Sequence, residues 1–262
     1  MSINKPLYFV TILFLYSILS SCALLYNAKD KNKPLTQIDR AWLMIEVAKG
    51  ALHESDATGA LQTLADAEKL APNLPELYHV RALAYFAKHD LQKAIHEAKQ
   101  AVFLSPTYSD ANNTLGKLYL DLGMYSEAEK PLLLASEDSL YRDAYKAFTN
   151  LGILYYRKEE YKKAQTSLQK AVLELPQGAC VAHYYLGHIQ LYEGNLREAQ
   201  KEYDQAAQKF CAGFAEAHLA IGMMYERTRE YDKARRKFLE IKQNFANTKY
   251  SDQAIEQLKY LP

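Results

Sequence analysis

TNLGILYYRKEEYKKAQTSLQKAVLELP, residues 149–176, decides the fold, because its small and aromatic residues recur elsewhere at matching intervals. Leu151-Gly152 is followed by Tyr155, three residues after the glycine, and by Ala164, twelve after it. The same spacing returns at Leu115-Gly116, Tyr119 and Ala128, and at Ile221-Gly222, Tyr225 and Ala234; Leu186-Gly187 and Ala199 repeat it without the tyrosine. Towards the N-terminus the period continues through Ala60, Leu64, Ala67 and Pro72, then Ala94, Ala98, Ala101 and Pro106, the two prolines 34 residues apart. A fixed period of this length marks a stack of like units. Only 10 glycines and 8 prolines interrupt a chain rich in Ala, Leu, Lys and Glu, so the units are helical.

These residues resemble the tetratricopeptide (TPR) signature, which implies an all-α, right-handed superhelical solenoid of helical hairpins. Six repeats are expected, at 41–74, 75–108, 109–144, 145–178, 180–213 and 215–248, with a capping helix at 249–261. Repeat 1 carries Ala48 for the glycine and Ala51 for the tyrosine; repeat 3 carries an insertion from Ser136 to Asp143. Gly116, Gly152, Gly187 and Gly222 are expected where the first helix of a hairpin (A) crosses the second (B), where a larger side chain would hold the helices apart. Ala128, Ala164, Ala199 and Ala234 serve the same end on helix B, and the terminal proline stops that helix.

The first segment is of a different kind. Residues 1–21 hold one charge, Lys5, and an apolar run from Leu7 to Leu19, short for a membrane span and suited to a secretory signal. Leu19-Ser20-Ser21-Cys22 resembles a bacterial lipobox, which implies acylation of Cys22 and cleavage before it; an ordinary signal peptide containing a cysteine is the alternative. Acyl chains contribute about 0.8 kcal/mol per buried CH₂, so such an anchor is permanent. Ala23 after the cysteine, in place of a retention aspartate, favours the periplasmic face of the outer membrane. Residues 22–40, with Lys29, Lys31 and Lys33, are expected to form a flexible lipid-anchored tether.

The whole chain has a formal charge of +1 with no basic block, which argues against nucleic-acid binding. No nucleophile elbow, phosphate loop or HExxH motif is present, so no catalytic residue, cofactor, metal or small-molecule substrate is expected. Acidic pairs such as Glu159-Glu160 fit solvated surfaces, and His183 and His218, at equivalent repeat positions, fit packing roles. Cys180 opens repeat 5 and Cys211 stands where other repeats have proline. Helices A and B are antiparallel, so the spacing allows a disulfide closing one hairpin; two buried free thiols are the alternative.

Repeat positions 5, 9 and 12 of helix A share one stripe, which in TPR solenoids lines the concave face. Position 5 reads Ile45, His79, Asn113, Thr149, Tyr184 and Leu219; position 9 reads Lys49, Leu83, Lys117, Ile153, His188 and Met223; position 12 reads Leu52, Phe86, Leu120, Tyr156, Leu191 and Glu226. A stripe this apolar suggests a protein partner, a helix or an extended peptide, in the groove. The competing reading is that the solenoid's own curvature or its terminal helix covers these residues.

Lipobox and six repeats together resemble the outer-membrane TPR lipoproteins of type IV pilus systems (PilF, PilW or Tgl). So does Ala135-Ser136-Glu137-Asp138-Ser139-Leu140-Tyr141 running into Asn150-Leu151-Gly152. That resemblance implies a pilotin, which escorts a secretin subunit and promotes its multimer, with the groove contacting a secretin segment. A lipoprotein scaffold for cell-wall enzymes or for outer-membrane protein insertion is the alternative, and an enzyme on a TPR platform a more distant one.

Overall fold

The computed structural model describes residues 34–262; the signal segment, Cys22 and most of the expected tether lie outside them. Thirteen α-helices and one short 3₁₀ turn (Lys209–Cys211) make up the described residues. The A helices are α1 (Gln37–His53), α3 (Pro75–Ala87), α5 (Ser109–Asp121), α7 (Ala144–Arg157), α9 (Cys180–Tyr192) and α11 (Ala215–Arg227). Each is followed by its B helix: α2 (Ala57–Leu70), α4 (Leu91–Leu104), α6 (Tyr125–Glu137), α8 (Tyr161–Glu174), α10 (Leu196–Ala207) and α12 (Tyr231–Asn244). The last, α13 (Lys249–Tyr260), packs against α12 and caps the stack. The protein is therefore an all-α solenoid of paired helices.

Two boundaries differ from the sequence expectation. Helix α1 begins at Gln37, four residues inside the expected tether, because Thr36 and Asp39 form a reciprocal capping box that satisfies two of the free N–H groups. The insertion expected at 136–143 is shorter, since Ser136 and Glu137 complete α6 and only 138–143 form the connection.

The hairpins close where the sequence placed its smallest residues. A Cβ on Gly187 would lie 2.6 Å from Cε1 of Tyr203, and one on Gly222 would lie 2.5 Å from Cε1 of Phe238. Gly116 and Gly152 stand in the same relation to Leu132 and Leu168. Ala128, Ala164, Ala199 and Ala234 are fully buried beneath them. The A and B backbones thus approach closely while one large B-helix side chain covers the glycine.

Every A-to-B turn is built alike. The second residue past the A helix takes a left-handed backbone conformation at Ser55, His89, Gly123, Glu159, Gly194 and Arg229. The next N–H then bonds back to the helix's last turn, as from Glu160 to the Tyr155 carbonyl (2.8 Å) and from Met124 to the Tyr119 carbonyl (2.9 Å). Only two of the six positions use glycine, the residue that tolerates this conformation without strain.

Successive A helices touch one another, α1 with α3 through to α7 with α9, whereas successive B helices make at most marginal contact. A stack whose A side is closer-packed than its B side curves, and the A side is its concave face.

Cys180 at the start of α9 and Cys211 after α10 are joined by a disulfide, with Cα atoms 5.4 Å apart and a separation of 31 residues. Reduction is expected to destabilise the protein by about 3–4 kcal/mol, the closure entropy of a loop of this size, seen as a lower melting temperature in dithiothreitol. A Gly187→Ala substitution must displace the Tyr203 ring and is expected to cost about 1–3 kcal/mol in urea denaturation. Gly50→Ala, in α1 with nothing near its added methyl group, should instead stabilise by about 0.5–1 kcal/mol.

Candidate partner-binding groove

The residues expected to line the groove divide into two sets. Ile45, His79 and Asn113, at position 5 of the first three repeats, are buried, and this corrects their reading as open groove surface. Ile45 is wholly enclosed in the core between α1, α2 and α3. Nδ1 of His79 lies 3.1 Å from the Tyr108 hydroxyl and Nε2 lies 3.0 Å from Thr114 Oγ1, so both ring nitrogens are used internally. Asn113 Oδ1 accepts a 2.9 Å hydrogen bond from Nδ2 of Asn150, which ties α5 to α7 across the longer repeat.

The second set stays half-buried along the A face: Leu52, Leu83, Phe86, Leu120, Thr149, Ile153, Tyr156, Tyr184, His188, Leu191 and Leu219, with Met223 exposed. Three depressions run along it. His79, Leu83, Phe86 and Asn113 border one of about 230 Å³, and Leu120 and Ile153 border one of about 480 Å³. The largest, about 620 Å³, lies against Tyr184, His188, Leu191, Leu219 and Met223, and the chain's own Tyr260 and Pro262 stand at its edge. Self-coverage by the terminal segment is thus confined to this end.

The polar residues of position 9 are neutralised locally. Nζ of Lys49 lies 2.5 Å from Glu76 and 2.9 Å from Glu46, while Lys117 pairs with Asp121 at 2.6 Å and lies 5.0 Å from the centre of the Phe86 ring. Those pairings leave the apolar positions to set the character of the face.

Between repeats 4 and 6 the groove becomes aromatic. Tyr156 meets Tyr185 with ring centres 5.2 Å apart, Tyr184 meets His188 at 4.4 Å and Phe214 at 5.4 Å, and His188 meets Tyr203 at 5.5 Å. Edge-to-face pairs of this kind hold rings in fixed orientations. Burial pushes the Tyr184 phenol up to about 12 and lowers the His188 imidazole, so the floor is uncharged at neutral pH. Tyr185, Tyr161 and Tyr203 belong to this cluster and fall outside positions 5, 9 and 12. The signal for Tyr203 and its equivalents was their place sixteen residues after each crossing glycine.

The remaining histidines at repeat positions are internal. Nδ1 of His183 lies 2.7 Å from Glu202, and Nε2 of His218 lies 3.0 Å from the Ala212 carbonyl. Among the described residues no group of three or more His, Cys, Asp or Glu side chains could hold a metal ion, and no helix is long and apolar enough to cross a membrane.

Two tetratricopeptide-repeat family models match the chain, one over residues 79–140 and 184–247 and the other over 145–173, together more than half of it. The chain belongs to the tetratricopeptide-repeat proteins. Its backbone is similar to that of Pseudomonas aeruginosa PilF (TM-score 0.71, 18% identity, 84% of this chain and 99% of that one). It is equally similar to PilW, a type IV pilus biogenesis factor (TM-score 0.71, 20% identity, 82% and 98%). At these identities the likeness is one of fold. Human tetratricopeptide repeat protein 13 is 25% identical over 159 residues, 59% of this chain. The chain spans only 18% and 26% of the lengths of the curated relatives it matches.

The buried His79 generates a pH prediction. Burial lowers its imidazole to about 4, against 6.5 when free, with Glu76 opposing and Lys49 reinforcing the shift. Because the unfolded chain takes up this proton first, the contribution is complete above pH 6.5 and is lost as pH falls towards 4, amounting to about 3 kcal/mol. The melting temperature should therefore fall more steeply between pH 6.5 and 4 for the wild type than for His79→Gln, whose amide does not titrate.

Proposed function

We propose that the protein is a periplasm-facing lipoprotein scaffold that holds a protein segment along its A face, and that this partner is a secretin subunit of a type IV pilus. The observation that carries the binding role is the half-buried apolar and aromatic stripe running from Leu83 through Tyr156 to Met223. Unpartnered, it would leave a long concave apolar surface to water, at a cost of about 25 cal/mol for each Å² of apolar area. The role is one of binding, without a catalytic step. Acylation of Cys22 supplies the anchor and sets the outer-membrane location in this reading.

The pilotin assignment draws on the lipobox and on the likeness to PilF and PilW, which extends over nearly the whole of those chains. A scaffold for cell-wall enzymes or for outer-membrane protein insertion would use the same groove and anchor. Deletion of the gene separates the two, since a pilotin's loss depletes secretin multimers from the outer membrane and a cell-wall scaffold's loss leaves them intact. Tyr156→Glu, which places a charge at the centre of the stripe, is expected to lower recovery of the secretin subunit in a pull-down at least tenfold, about 1.4 kcal/mol. Unchanged recovery would remove the groove from the binding reading. Mass spectrometry of the exported protein tests the anchor, and an unmodified Cys22 would exclude it.

A further inference from the structure

The N-terminal end of the stack departs from a pattern that the later repeats keep. Leu43, at position 3 of α1, is 54% exposed, whereas its equivalents in repeats 2 to 6, from Leu77 to Ala217, are wholly buried. Val47, at position 7, is 61% exposed, whereas Leu115, Leu151, Leu186 and Ile221 are at most 7% exposed. In the later repeats this side of the A helix packs against the preceding hairpin. Leu77 shares a core cluster with Leu64 and Ala67 of α2, and Arg81 reaches back to Glu68. Among the described residues no hairpin precedes α1, yet it carries the apolar side chains that one would cover. Ile38 and Trp42 extend that surface along the helix.

The opposite end is finished differently. Helix α13 covers α12 and presents Lys249, Asp252, Gln253, Glu256 and Lys259 to solvent, with Tyr260 its one exposed large apolar residue. Terminal units of a solenoid need a polar outer face of this kind to stay apart in solution. The chemistry around α1 selects what covers it. Asp39 and Glu46 are exposed among its apolar residues, so a lipid surface would have to desolvate carboxylates. In the sequence ahead of the fold, residues 27–33 include no large apolar side chain, and Leu24, Leu25 and Tyr26 lie within four positions of Cys22, the acylated residue of the proposed function. The chain's own N-terminal segment thus has little to bury against α1. A second copy presents the same apolar helix and, at Arg40, a cation for the carboxylates.

We propose that α1 is the contact through which two copies of the protein pair head to head, with Leu43 and Val47 at the centre of the interface. The polar exterior of α13 disfavours head-to-tail stacking, so the assembly is isologous and closes at two copies. Both chains then enter the fold beside the interface. Cys22 precedes Thr36 by 14 positions, a reach of about 50 Å at full extension, so both anchors can enter one membrane. Copies confined to that membrane meet at a raised effective concentration, and modest affinity suffices. Only this shared membrane is taken from the functional reading; the groove plays no part.

Trp42, the one tryptophan of the chain, borders the face and reports whether it is covered. The test uses residues 22–262 with Cys22→Ser, which contain the whole described fold and carry no lipid. Between roughly 1 and 100 µM, sedimentation velocity is expected to show monomer passing to dimer, with Trp42 emission moving to shorter wavelength over the same range. Leu43→Glu combined with Val47→Glu should weaken dimerisation at least tenfold and leave the helical circular-dichroism spectrum unchanged, because both side chains are exposed in the single chain. A protein monomeric throughout would overturn the proposal, and short-wavelength Trp42 emission at every concentration would then assign the cover to the chain's own N-terminal segment. A shift seen only with vesicles of phosphatidylethanolamine and phosphatidylglycerol would assign the face to the membrane and also overturn it. So would a dimer that the double substitution leaves unaffected. Recovery of the secretin subunit through Tyr156 depends on none of these outcomes, so the two readings fail separately.

Discussion

The close approach of each A helix to its B helix is the constraint on which the rest of the structure depends. At Gly116, Gly152, Gly187 and Gly222 the absent side chain lets the covering residue of the B helix sit directly on the A backbone. Each hairpin is therefore thin, and thin hairpins can stack with their A helices in contact. If the crossing were wider, the A helices would separate, and the stripe they carry would break into isolated patches. The groove is a consequence of packing at the opposite side of the same helices.

The stripe itself is not uniform. At its N-terminal end the position-5 side chains turn inward and serve the core, as Ile45, His79 and Asn113 show. From Tyr156 onwards the rings of repeats 4 and 5, with Phe214 just before α11, make one connected floor. Repeat 5, at the centre of that floor, is the first in which the residue covering the glycine is an aromatic ring, Tyr203, where repeats 3 and 4 have leucine. A ring reaches farther than a leucine, and Tyr203 reaches far enough to meet His188 and Tyr184 and to border the groove on the other side of the A helix. Core and binding face share a residue there.

Most of the fold was legible because the crossing glycines and alanines obey a spacing that packing enforces. The start of α1 was misplaced because repeat periodicity was allowed to outweigh a local cue, Thr36-x-x-Asp39, that marks a helix N-terminus without reference to any repeat. The groove was only partly legible. Positions 5, 9 and 12 define a stripe, but a stripe is a property of one helix, and whether its edge faces solvent or a neighbour depends on the next helix in the stack. Tyr108 and Thr114 close over His79, and Asn150 closes over Asn113, and no intrahelical spacing registers either event. The aromatic cluster was missed for the same reason, since Tyr185 and Tyr203 reach it from positions outside the stripe.

The covalent clasp in repeat 5 has a consequence for how the molecule comes apart. In a linear stack each hairpin is stabilised chiefly by its two neighbours, so loss of structure starts at an end and moves inward. Here α13 packs against α12, and that cap lies only one repeat from the Cys180–Cys211 bond. Amide protons of α9 and α10, the hairpin that the bond closes, should therefore be among the last to exchange. The most persistent part of the fold would then coincide with the aromatic half of the groove, which would keep its shape while hairpins farther from the bond open and close.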